Sequence, residues 1–213
     1  MIKVLINGYN GKMGQMVLNQ IKASKDFECI GGTDVSLSIN EITEKPDVII
    51  DFSTPEASLS ILQYAEKNKI PVVIATTGFS DEQTAKIMEY SKTLPIFKSA
   101  NMSYETNLMI ALVSKLAKEL TGSDIEIVET HHNKKVDAPS GTALMIADSI
   151  NEALDHEMYY EYDRHSKRAP RSQKEIGIHS IRGGTEVGKH TVFFFGDNES
   201  LEISHTVTSR AVF

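Results

Sequence analysis

The run IKVLINGYNGKMG, Ile2 through Gly14, decides the fold. Its first six residues are a short, largely apolar stretch closed by glycine, as a buried strand is. Met13, Val17 and Ile21 then recur at helical spacing, so Gly8, Gly11 and Gly14 stand at a strand-to-helix turn. Their spacing is G-x-x-G-x-x-G rather than the strict G-x-G-x-x-G. Small residues there let the backbone approach a pyrophosphate, and a helix start supplies N–H groups and partial positive charge. Packing alone also produces glycine-rich turns, so the pattern needs a second feature. Asp34 supplies it, 20 residues beyond Gly14 at the end of a second strand over residues 27–33, placed to accept hydrogen bonds from an adenosine ribose. A carboxylate there repels a 2′-phosphate, and Val35 follows where a phosphate site would want arginine; both favour NADH. Lys12 is within reach of a 2′-phosphate, which keeps NADPH open.

Outward from this turn, strands are expected over DVIIDF (47–52), PVVIAT (71–76) and PIFKS (95–99). Helices alternate with them: one opened by Pro55, with Leu59, Leu62 and Ala65 inward, and one over 81–92 with acidic residues in its first turn. Five strands alternating with helices imply a parallel sheet covered on both faces. Ligands of such sheets bind beyond the carboxyl ends of the strands, where Ser53, Thr54, Thr76, Thr77 and Gly78 lie within reach of a nicotinamide ribose. Taken singly, each is equally well explained by turn chemistry.

Beyond residue 102 the pattern changes. A long helix is expected over 104–120, carrying Leu108, Ala111, Leu112, Leu116 and Leu120, then a strand, DIEIVETH (124–131), and a helix over 140–154. Residues 155–175 are polar and aperiodic and read as a loop. Three strand-like runs follow, IGIHSIR, HTVFFFG and SLEISHTV, the last two joined by a hairpin turn at Gly196–Glu199. The expected architecture is α/β: a parallel-sheet domain over 1–102, rejoined by 209–213, and a smaller α+β domain over 103–208 on a mixed sheet. Phe193, Phe194 and Phe195 put aromatic rings on both faces of one strand, so one face needs the domain's helices and the other a second copy of the chain.

Bulk composition narrows the partners. A net charge of -7 excludes a general nucleic-acid binder. Cys29 is the only cysteine, within the apolar FECIG, and reads as a small core residue in a reducing compartment, hence the cytoplasm. No segment reaches the ~18 apolar residues of a membrane span, and the N-terminal apolar run is too short for a signal peptide.

The chemistry concentrates in ETHHNKKVDAPSGTA, Glu129–Ala143. His131 and His132 end a strand and point to opposite faces, so they cannot chelate one metal together, and no further ligands stand at zinc spacing. Lys134 and Lys135 follow, then Pro139, and the N–H groups of Ser140, Gly141 and Thr142 open a helix, where anions bind well. Two histidines, two lysines and a helix start suit a carboxylate-bearing substrate that must receive a proton. The plain alternative is a capped helix behind a solvated basic loop.

With these residues in view, the chain resembles the 4-hydroxy-tetrahydrodipicolinate (dihydrodipicolinate) reductase family from residue 2 to residue 213. GYNGKMG, DFSTPE, VVIATTGF, SANMS, ETHHNKKVDAPSGTA, RGGTEVGKHTV and LEISHTVTSRAVF carry the likeness. The resemblance implies a Rossmann-like first domain and NAD(P)H-dependent reduction of a small dicarboxylate in lysine and diaminopimelate biosynthesis, by a homotetramer joined through the C-terminal sheet. It implies that Gly8, Tyr9, Asn10, Gly11, Lys12 and Met13 hold the pyrophosphate and Asp34 the ribose. Ala75, Thr76, Thr77, Ser99, Ala100, Asn101 and Met102 would line the nicotinamide side. His131 and Lys135 would be the proton-handling pair, and His132, Gly141 and Thr142 would bind substrate carboxylates. The sequence departs from the family at Ala75, commonly glycine, and at Glu105, usually glycine, which brings a carboxylate toward the dicarboxylate site. The family also continues past Phe213 with a helix that returns to the nucleotide domain. Two other readings remain in view: another two-domain dehydrogenase, such as one acting on an amino-acid semialdehyde, and a non-catalytic NAD-binding regulatory module.

Overall fold

The computed structural model describes residues 1–213, the side chain of Asn40 excepted. Short apolar runs form β1 (Ile2–Asn7), β2 (Phe27–Thr33), β3 (Val48–Asp51), β4 (Val72–Ile74) and β5 (Ile96–Lys98). They make one parallel sheet in the order β2-β1-β3-β4-β5. Between them run α1 (Lys12–Ala23), α2 (Pro55–Asn68) and α3 (Asp81–Tyr90). Thr54 caps α2 through Ala57 N–H ahead of Pro55, and Ser80 with Gln83 forms a capping box on α3. One side of the sheet buries Leu5, Ile49 and Val72 with Leu62 and Ala65 of α2; the other buries Val4 and Ile6 with Leu18 and Ile21 of α1. A fully buried Leu62 contributes roughly 1.5–3 kcal/mol of transfer free energy.

The second unit contains α4 (Tyr104–Glu119), β6 (Asp124–His131), α5 (Gly141–Ala153), β7 (Tyr159–Glu161), β8 (Glu175–Arg182), β9 (Gly188–Phe195) and β10 (Ser200–Val207). Its mixed sheet runs β10-β9-β6-β8-β7, with β6, β8 and β7 parallel and β9 antiparallel to both β6 and β10. Alternation in β6 buries Ile125, Ile127, Glu129 and His131 on the side covered by Val113 and Ala117 of α4 and Ile146 and Ile150 of α5. Phe194 lies in this core, while Phe195 is exposed and stacks on Phe193 at 5.6 Å.

One expectation changes, the loop over 155–175, and packing sets the buried face of α4 and the bounds of the two units. The buried face of α4 is Met109, Val113 and Ala117, and Leu108 and Leu112 are exposed. The supposed loop over 155–175 contains β7, and Arg171 ties its later part to β6 through Asp124, Glu126 and the Ile125 carbonyl. Contacts divide the chain into Met1–Ala100 and Asn101–Phe213, so the second unit is slightly the longer. Residues 209–213 fall in that second unit and end in a 3-10 turn over Arg210–Val212. No described helix is long and apolar enough to cross a membrane.

Candidate active site

In the first unit the β1–α1 turn is a cradle shaped by its glycines. Gly8 has φ +84°, and a Cβ there would meet the Phe52 carbonyl oxygen at 2.3 Å. A Cβ on Gly14, already inside α1, would meet Gly8 O at 2.1 Å, so this glycine lets the helix close on the turn. Several loop donors are committed: Gly8 and Tyr9 N–H to Thr33 O, Gly11 N–H to Gly8 O, and Asn10 N–H to Asp34 Oδ2. Gly11, the N-cap of α1, offers no side-chain acceptor, whereas Thr54, Ser80, Ser103 and Ser140 cap α2 to α5. The N–H groups of Lys12 and Met13 are therefore the donors left to an anion.

A cavity of about 620 Å³ opens beside this turn, bordered by Gly8, Asn10, Gly11, Asp34 and Val35, with Ser53 and Thr54 opposite. Those residues fit a dinucleotide: a close backbone approach, uncapped helix donors and a carboxylate in one concavity. Asp34 has a structural duty as well, because its other oxygen accepts Val35 N–H at 2.7 Å. Tyr9 turns its ring onto Gly32 instead of into the cavity. Ala75, Thr77, Ser99 and Ala100 follow the carboxyl ends of β4 and β5. Thr76 is buried, and its Oγ1 accepts Ser53 N–H. Beneath the cavity floor, buried Asp51 accepts from Asn7 Nδ2, Ser53 Oγ and Ser58 Oγ. Sequence reasoning missed this carboxylate, although Asp51 ends the third strand run.

Asn101 and Met102 fall in the second unit, and the other residues expected to hold the cofactor fall in the first. The Asn101 amide donates to Thr142 Oγ1 at 3.0 Å, at the start of α5. His131 and His132 have separate partners. His131 is buried, with Nδ1 2.5 Å from Glu129 Oε2 and its ring edge-on to His190 at 5.2 Å between centroids. His132 places Nε2 3.1 Å from the Arg210 guanidinium, and its Nδ1 is buried without a hydrogen-bond partner. Lys135 is mostly buried and ion-paired with Asp137 at 2.8 Å. Ala138–Pro139 is a cis peptide just ahead of α5. Ser140 caps α5 through Ala143 N–H, leaving Gly141 and Thr142 as the helix-start donors. Glu105 is largely exposed, its carboxylate 3.3 Å from His205 Nε2.

Glu129, to which sequence reasoning gave no role, is joined by Arg182 and His190 from other strands. Glu129, fully buried, receives Arg182 on both oxygens, at 2.6 and 2.8 Å, besides His131. Burial opposes its charge, yet hydrogen bonds from Arg182, Ser180 and His131 hold the carboxyl down to about 2. His190 lies 3.0 Å from Ser140 Oγ, and burial, reinforced by the nearby His131, pushes its pKa down to about 4. Burial also lowers the His131 pKa against the pull of Glu129, with Lys135 and Arg182 lowering it further. Among the described residues no His, Cys, Asp and Glu side chains group so as to hold a metal ion.

A parallel-sheet unit with a cavity beside a glycine turn, followed by a mixed-sheet unit holding buried titratable groups, has the parts of a two-domain nicotinamide-dependent oxidoreductase. Comparison with known proteins narrows this. Models for the N-terminus and the C-terminus of dihydrodipicolinate reductase match residues 2–102 and 106–213. The chain belongs to the dihydrodipicolinate reductase family. A protein of Caldanaerobacter subterraneus subsp. tengcongensis named 4-hydroxy-tetrahydrodipicolinate reductase is 51% identical, over all of this chain and 88% of its own length. One of the same name from Clostridium tetani is 43% identical, with the same coverage. The dipicolinate-bound dihydrodipicolinate reductase of Paenisporosarcina sp. TG-14 superposes with a TM-score of 0.77 at 26% identity, over 100% of this chain and 90% of that one.

Proposed function

We propose that this chain reduces 4-hydroxy-tetrahydrodipicolinate to tetrahydrodipicolinate with NAD(P)H, in lysine and diaminopimelate biosynthesis. The observation that carries the reading is the segment Glu129–Thr142. It brings a buried carboxylate–imidazole pair, a lysine and a free helix start into one family-matched stretch.

Gly8, Gly11, Lys12 and Met13 would hold the pyrophosphate and Asp34 the adenosine ribose, with Thr77 and Ser99 toward the nicotinamide. Bound dihydronicotinamide supplies a hydride, for C4 of the cyclic dehydrated substrate. His131 and Lys135 handle the proton destined for C3; the imidazole, its pKa lowered by burial, is primed to pass a proton rather than keep it. Gly141 and Thr142 N–H groups and His132 bind the substrate carboxylates, and Arg210 adds a guanidinium beside His132. NADH is the preferred cofactor, since Asp34 is a carboxylate already fixed by two backbone N–H groups and Val35 beside it is fully exposed. The face bearing Phe195 and Ile181 joins copies into a homotetramer. The lone Cys29 suits the reducing cytoplasm.

NADH absorbance followed with freshly generated 4-hydroxy-tetrahydrodipicolinate tests this. Rapid oxidation is expected, with none on an amino-acid semialdehyde. Oxidation only with the semialdehyde would favour another dehydrogenase, and NADH binding without turnover a regulatory module.

A further inference from the structure

We infer that Glu129 is a positioning residue: its two oxygens, clamped by Arg182, fix the Nδ1–H tautomer of His131 and anchor the start of α5. This deepens the function proposed above and rests on it for the role of His131. Glu129 is fully buried on β6, and four donors surround it. Oε2 takes Arg182 Nη1 at 2.8 Å and lies 2.5 Å from His131 Nδ1. Oε1 takes Arg182 Nη2 at 2.6 Å and Ser140 N–H at 3.2 Å. Arg182 is fixed in turn, because Nη2 also donates to Asp137 O and Nη1 to Ile181 O. One carboxylate therefore gathers the proton-handling imidazole, the Asp137 backbone beside Lys135, and the cap of the carboxylate-binding helix.

A carboxylate with this many donors stays ionised and can only accept, so the proton of neutral His131 must sit on Nδ1. That is the minor tautomer of free histidine, and it needs a fixed acceptor to prevail. It leaves Nε2 as the atom that exchanges a proton. On that side lies Gly188, where a Cβ would stand 3.1 Å from Nε2, so the missing side chain gives the nitrogen room. A purely structural ion pair makes neither demand. Buried pairs are weak sources of net stability, and a stability role would be indifferent to the tautomer.

The test is a two-bond ¹H–¹⁵N spectrum of the full chain labelled with ¹⁵N-histidine, the His131 signal assigned by its loss in His131→Gln. At pH 7.5 wild type should show the Nδ1–H pattern; an Nε2–H pattern there overturns the inference, and this measurement needs no variant of Glu129 to fold. Glu129→Gln should reverse the tautomer, lower kcat by about 100-fold and raise the substrate KM, with the NADH dissociation constant within about twofold. Glu129→Asp should restore the Nδ1–H pattern and part of kcat. Wild-type kcat in Glu129→Gln, or loss in proportion to unfolded protein with no change of tautomer, overturns the inference. If wild type failed to turn over the substrate, the tautomer result would still decide the carboxylate's part, so the two readings fail separately.

Discussion

Replacing His190 with glutamine should make the second unit markedly less sensitive to acid. His190 is 5% exposed on β9 and titrates near 4, against about 6.5 for histidine in an unfolded chain. Its folded pKa is depressed, so between these values the unfolded chain binds the proton and the folded one does not. The stability it contributes is fully present above pH 6.5 and is lost as pH falls toward 4. The gap amounts to about 3 kcal/mol at pH 4. Glu129, held at about 2, loses its contribution only from its ordinary value of 4.5 downward, and it is present in both proteins. The faces around His190 are charged or titratable: His131, Glu129, His205 and Lys135, with Ser140 at hydrogen-bond distance. His131 erodes stability in the same window but is present in both proteins, so it cancels. Glutamine keeps a polar group near Ser140 and removes the titration. Urea unfolding at pH 7.0 and 4.0, with hydrogen exchange of β9 and β6 peptides reporting the second unit alone, gives the comparison. Wild type should lose about 3 kcal/mol more than His190→Gln between the two pH values. Equal losses would refute the reasoning, whatever the variant's stability at pH 7.

Lys135→Ala should lower kcat by roughly 10²–10⁴-fold while NADH binding, read by fluorescence titration, stays within about twofold; full activity would remove the lysine from the mechanism. Gly8→Ala forces a side chain into a left-handed conformation 2.3 Å from the Phe52 carbonyl oxygen, so calorimetry should show a loss on the order of 1–3 kcal/mol together with weaker NADH binding. Gly188→Ala meets no backbone penalty but presses on His131 Nε2, so kcat should fall by about 10-fold with little change in Tm.

The first unit was almost wholly legible because each strand and helix there declares itself locally, by an apolar run of period two or a stripe of period 3.6. The second unit shows where that signal runs out. α4 carries two apolar stripes, Leu108 with Leu112 and Met109 with Val113, and spacing alone does not choose between them. Packing chooses the second, and only it meets Ile125 and Ile127 of β6 in the core. β7 has three residues, too few for a period, and pairs with β8 across a loop held by Arg171. Among the site residues, His131, Lys135, Gly141 and Thr142 stand within one short stretch and could be read together. Asp34 was legible by its distance from the glycines, but its bonds to Asn10 and Val35 were not.

Arg182 and His190 were invisible for a different reason: register brings them in, and register is a property of paired strands. β6 and β8 pair His131 with Arg182 and Glu129 with Ser180, while β6 and β9 pair Glu129 with His190. Side chains alternate across a sheet, so a slip of one residue in β8 would turn Arg182 to the opposite face and leave a buried carboxylate without its cation. The register is secured away from the site by Ile125 opposite Ile176, Ile127 opposite Ile178 and Val192 opposite Ile127, all buried. The apolar half of the sheet thus sets the geometry at its polar end. A histidine–lysine segment transplanted onto another loop would keep its residue types and lose Arg182 and His190, and with them the fixed tautomer and the depressed pKa values. The proton chemistry belongs to the sheet as much as to the motif.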